Sequence, residues 1–82
     1  MDFSKYIAML SQQIMMFLGK MANPVTGKTE KNLEAAKLFI DILEILQEKT
    51  KGNLTDDENS FLQKNLNDMR MYYVEVSKNN NE

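Results

Sequence analysis

Apolar residues in this 82-residue chain fall into three stretches with helical spacing, separated by two polar breaks. In the first stretch Phe3, Ile7, Leu10, Ile14, Phe17 and Met21 recur at steps of three and four, with Tyr6 and Leu18 on the flanks. That spacing predicts a helix over about residues 2–21 and is incompatible with the period-two alternation of a half-buried strand. Met9 and Met16 lie off this stripe and share the opposite face with Lys5, Gln12, Gln13 and Lys20.

The second stretch, Leu33 to Leu46 (LEAAKLFIDILEIL), is apolar almost all the way round. Its charged residues Glu34, Lys37, Asp41 and Glu44 form one stripe roughly 80° wide at about 100° per residue. One apolar face is enough for a helix on the surface of a small monomer. This helix therefore calls for neighbours on several sides, with the charged stripe as the one face left to water. Asn32 or Thr29 suits its start; Lys49 and Lys51 complement its C-terminal dipole, and Gly52-Asn53 stops it near residue 51.

The third stretch opens on Thr55-Asp56-Asp57-Glu58, where Thr55 and Glu58 have the spacing of a reciprocal capping box. Phe61, Leu62, Leu66, Met69, Tyr72, Tyr73 and Val76 supply its apolar face, predicting a helix over about 56–77. Residues 78–82 read as a frayed polar tail. Between the first two helices, Ala22 to Lys31 form a loop in which Pro24 forces Asn23 out of helical geometry and Gly27 permits a positive φ. About four residues join the second and third helices, which demands a tight antiparallel hairpin. The expected fold is all-α: a single domain over residues 1–82, a three-helix bundle that pairs with itself.

Composition narrows the chemistry. A net charge of -2 provides no basic face for a phosphate backbone, so nucleic acid is not an expected partner. The chain has neither cysteine nor histidine. Thiolate nucleophiles, zinc–thiolate sites and the commonest general base are thereby excluded, and no cofactor or metal is expected. The start, Met1-Asp2-Phe3-Ser4-Lys5, is acidic where an export signal is basic, and the apolar run Ile14 to Leu18 is too short to cross a bilayer. A cytoplasmic protein without membrane partners is expected.

Several constellations resemble known sites and fail their requirements. Thr26-Gly27-Lys28-Thr29 looks like the end of a phosphate loop, but Ala22 stands where the first glycine belongs and a helix precedes it rather than a strand. Asp41, Glu44 and Glu48 sit on adjacent turns, yet helical metal sites combine carboxylates with histidine. Asp56, Asp57 and Glu58 lack the spacing and central glycine of a calcium loop. Tyr72 and Tyr73 lie on the core-facing stripe, and Arg70 just off it is free to pair with a carboxylate. The seven methionines are more suggestive. Met9 and Met16 on a face that ought to be polar, with Met15 beside them, make an adaptable contact surface. With Phe39, Ile42 and Ile45 of the second helix they are the candidate contact residues for an oligomer or partner.

From Asn32 to Val76 the chain resembles the bacterial domain-of-unknown-function family 1844. The resemblance rests on Asn32-Leu33-Glu34-Ala35-Ala36-Lys37, on Lys49-Thr50-Lys51-Gly52-Asn53-Leu54-Thr55 and on Arg70-Met71-x-Tyr73-Val74. It extends back through Asn23-Pro24-x-Thr26-Gly27, Leu18-Gly19 and Phe3-x-x-Tyr6-Ile7. Members often carry a histidine before the leucine-glycine pair, where this chain has Met16-Phe17-Leu18-Gly19. The resemblance implies a small bacterial helical protein and brings no activity with it.

The function expected is thus that of a non-enzymatic homo-oligomeric module binding itself and, more broadly, another protein. The alternative is a small-molecule or enzymatic site built across subunits from Lys37, Asp41, Glu44, Arg70 and the tyrosines. A groove lined by Met and Leu that takes a partner helix is a third option.

Overall fold

The computed structural model describes residues 2–79. They form three helices in the order α1 (Phe3–Phe17), α2 (Leu33–Lys49) and α3 (Asp56–Asn79), each packed against the other two.

Local signals account for most of the helix ends. The Asp2 side chain caps α1 by accepting from the Lys5 N–H at 2.8 Å, and Asn32 caps α2 by accepting from the Ala35 N–H at 3.1 Å. At α3 the capping box is closed in both directions. The Thr55 hydroxyl accepts from the Glu58 N–H at 3.1 Å, and the Glu58 carboxylate accepts from the Thr55 N–H at 2.9 Å. Gly52 takes φ +86 just beyond α2, as the stop signal requires.

Helix α1 ends at Phe17, short of the expected Met21. The cause is Gly19, whose φ of +78 places it in the left-handed region. The Gly19 N–H donates to the Met16 carbonyl at 3.0 Å and the Lys20 N–H to the Met15 carbonyl at 3.0 Å. Those two bonds make a Schellman cap, which satisfies the last carbonyls and turns the chain away. Met21 therefore leaves the helical stripe and lies exposed. At the other end of the molecule α3 continues through Asn79, two residues into the stretch expected as a tail; residues 80–82 lie outside the described part.

The long loop after α1 is cinched at its base and within itself. The Asn32 N–H donates to the Phe17 carbonyl at 2.7 Å, which ties the end of α1 to the start of α2. Inside the loop Gly27 adopts φ +72, its N–H donates to the Asn23 carbonyl at 2.7 Å, and the Val25 N–H donates to the Asn23 side chain at 2.8 Å.

Neighbouring helices in sequence are antiparallel, so α1 and α3 run the same way. The cross-links from Ser11 to Asn65 and from Lys20 to Glu75 reflect that direction. The core between them is built from Ile7, Leu10, Ile14 and Leu18, from Ala36, Ile40 and Leu43, and from Leu62, Leu66, Met69 and Val76. Within each helix these core residues recur at steps of three, four or seven, as amphipathic packing demands.

Candidate interaction surface

The question posed by α2 is where its surplus apolar surface goes. Ala36, Ile40 and Leu43 point into the core and are buried. Leu33, Phe39, Ile42 and Leu46 are half-buried and pack against the rim of the core. On the α1 side the Phe17 and Phe39 rings meet edge-on, with centroids 5.3 Å apart at 62°. This geometry suits the ring quadrupoles and closes that seam. Two large apolar residues remain: Leu38 is 58% exposed and Ile45 56% exposed.

Within one chain, the charged stripe is therefore not the only face of α2 left to water. At about 100° per residue, the stripe of Glu34, Lys37, Asp41 and Glu44 is centred roughly 70° away from the direction opposite the core. It leans instead toward α3, where Arg70 donates to Glu44 Oε2 through Nε at 3.1 Å and Nη2 at 2.5 Å. The outermost line of the helix is Leu38 and Ile45, with Ile42 beside them. Exposed Glu34 and Lys49 stand at its two ends.

The other candidate contact residues divide between surface and core. Met9 on α1 is 41% exposed. Met15 is half-buried against the core, and Met16 is half-buried beside Phe17 and the loop residues Asn23 and Lys28. Phe39 serves the aromatic contact with Phe17, while Ile42 and Ile45 stand on the outer side of α2. Leu38 stands outside the contact residues that the sequence pattern marks. Its signal was available in the step of seven to Ile45, but it lies next to Lys37 and near the charged stripe.

The polar groups that could build a reactive site are brought together only in part. Lys37 donates to Asp41 at 2.7 Å, one helical turn away, and Glu44 is held by Arg70. The Asp41 hydrogen bond and carboxylate charge, with smaller contributions from Glu44 and Tyr73, hold the Lys37 ammonium above the ordinary lysine value of 10.5. Tyr72 and Tyr73 are half-buried against the core as expected, and Lys20 places its ammonium 5.2 Å from the centre of the Tyr72 ring while pairing with Glu75 at 3.0 Å. Surface depressions lie at the α2–α3 hairpin, beside the end of α1 and along the outer side of α3. Lys37, Asp41, Glu44, Arg70 and the two tyrosines line none of these three. Among the described residues no three acids, histidines or cysteines cluster closely enough to hold a metal ion, and no helix is long and apolar enough to cross a membrane.

The model of a family described as a domain of unknown function (DUF1844) matches residues 1–75. The chain belongs to that family. The DUF1844 match spans all of α1 and α2 and most of α3, so it includes the whole outer face of α2. Neither a curated protein nor a solved structure matches the chain.

Proposed function

We propose that this DUF1844 chain is a non-enzymatic, self-associating helical module whose outer α2 face receives a second copy. The observation that carries the reading is the pair Leu38 and Ile45, both more than half exposed on a helix whose inner side is already buried. Because rather more than half of each side chain is still in water, leaving them uncovered forfeits about 1–2 kcal/mol each relative to full burial. Half-buried Ile42 and Phe39 extend the apolar strip toward α1, and Met9, exposed on α1, is a flexible side chain of the kind that conforms to an irregular partner. A cysteine-free, histidine-free chain suits a scaffold better than a catalyst, and a cytoplasmic setting is consistent with the same composition.

The alternative of a polar site shared across subunits has weaker support. Lys37 and Asp41 satisfy each other, as do Glu44 and Arg70, and each pair lies within one chain. Groups already neutralised and exposed are poor acids, bases or nucleophiles.

The test compares two double variants by light scattering on a sizing column. Leu38→Glu/Ile45→Glu is expected to lower the mass toward one chain, while Met9→Glu/Met16→Glu weakens association less. A native chain that elutes as a monomer at tens of micromolar would sink the proposal.

A further inference from the structure

We infer that two copies pair through α2 in antiparallel fashion about a two-fold axis passing between Asp41 and Ile42. The inference rests on the self-association proposed above and adds the partner, its direction and its register. Its basis is the order of residues on the outer line of the helix. Glu34 and Lys49, Leu38 and Ile45, and Asp41 and Ile42 all share one midpoint.

A two-fold contact is self-complementary: whatever residue i meets in the partner, the partner's copy of that residue meets i. With the axis at this midpoint, Leu38 packs against the partner's Ile45 and Ile45 against the partner's Leu38. Glu34 faces the partner's Lys49 at one end, and Lys49 faces the partner's Glu34 at the other. At about 1.5 Å per residue the charged ends lie about 22 Å apart and frame an apolar centre. Ile42 lies beside the axis and meets its own copy. Asp41 also approaches its own copy, and its carboxylate is already held by Lys37 at 2.7 Å, which offsets that like-charge approach.

Charge decides the direction. The approach of Asp41 to its own copy is common to both directions, but a parallel pairing in register sets Glu34 against Glu34 and Lys49 against Lys49, two repulsive meetings in place of two attractive ones. The antiparallel order turns the same residues into complementary ends. A contact made by one helix of this length buries on the order of 1,000 Å² in total, the lower end for specific interfaces, so the dimer exchanges reversibly.

The absence of cysteine makes a direct test available, because any thiol introduced is unique. Leu38→Cys, Ile45→Cys and Ile42→Cys are prepared as single variants in the full chain and oxidised mildly, alone and in pairwise mixtures. A disulfide needs Cβ atoms about 3.5–4.5 Å apart, so linkage reports close approach. Leu38→Cys mixed with Ile45→Cys is expected to give several times more covalent dimer than either alone, and Ile42→Cys links to itself. Preferential linkage of Leu38→Cys to its own kind would overturn the antiparallel direction.

Charge exchange provides a second readout that does not depend on thiols. Glu34→Lys is expected to weaken association about tenfold, and the combined Glu34→Lys/Lys49→Glu to restore it to within about threefold of native. Failure of the combined variant to recover overturns the pairing. A native dimer by light scattering that yields none of the predicted links overturns this register and leaves self-association standing, whereas a native monomer overturns both.

Discussion

Ser11 of α1 donates its hydroxyl proton to the side-chain oxygen of Asn65 of α3 at 2.8 Å, in a position where Ser11 is buried. The Asn65 amide in turn donates to the Phe61 carbonyl one turn earlier at 2.9 Å. Two helices with no direct loop between them are thus keyed by one polar contact inside an apolar seam. The arrangement has no buried side-chain donor or acceptor left over among the described residues.

Ser11→Ala removes the donor and leaves the Asn65 oxygen short of a partner within a half-buried seam. The expected loss is about 1–2 kcal/mol of folding stability. Denaturant unfolding measures it, and a double-mutant cycle with Asn65→Ala should give a coupling of about 1 kcal/mol. Strict additivity would mean the contact contributes nothing to register.

The end of α1 depends on backbone conformation rather than on space. A Cβ added at Gly19 meets only Lys31 side-chain carbons at 3.7 Å, an ordinary contact, and one added at Gly52 meets nothing within 4 Å. Both glycines have φ near +80, at +78 and +86, where an L side chain costs roughly 1–2 kcal/mol. Gly19→Ala and Gly52→Ala should therefore lower stability by similar amounts. A much larger loss for Gly19→Ala would show that the approach of Lys31 is tighter than ordinary contact.

The fold and the proposed interface separate in the two sides of α2. Leu43 is fully buried, so Leu43→Ala should cost about 2–5 kcal/mol at any protein concentration. Leu38→Glu, at an exposed position, should leave the unfolding midpoint measured at high dilution within about 0.5 kcal/mol of native. It should remove the concentration dependence that a self-associating chain displays. Equal destabilisation at all concentrations by both substitutions would place Leu38 in the core.

The Lys37–Asp41 pair has a defined pH signature. The folded-state pKa of Lys37 is raised by its hydrogen bond to Asp41, so the contribution of this lysine is complete below the ordinary value of 10.5 and is lost as pH rises through the raised one. No change from this group is expected across neutral pH. Asp41→Asn should return the Lys37 titration toward 10.5, observed by NMR at the side-chain nitrogen. A titration that does not move would remove Asp41 as the cause.

How much of this was legible in the sequence follows from which signals are local. The starts of α2 and α3 and the end of α2 are written in Asn32, Thr55 with Glu58, and Gly52, whose partners lie within a few residues. Periodicity alone overruns the end of α1, because Met21 continues the apolar spacing past Gly19 and a Schellman cap outranks periodicity. The surface of α2 was legible as surplus but not as direction. Which apolar residues face outward depends on the angles at which α1 and α3 pack, and Glu44 finds Arg70 across a separation of 26 residues. Leu38 could be told from Phe39 only once the Phe17 ring had a position.

The most direct test of the central claim is the molar mass of the native chain in solution, followed by sedimentation equilibrium over a dilution series at neutral pH. The expected result is a reversible rise from the 9.5 kDa of one chain toward twice that value as concentration passes through the micromolar range. A mass that stays at 9.5 kDa up to the highest soluble concentration would contradict self-association through α2 and leave Leu38 and Ile45 as exposed apolar residues without a partner copy.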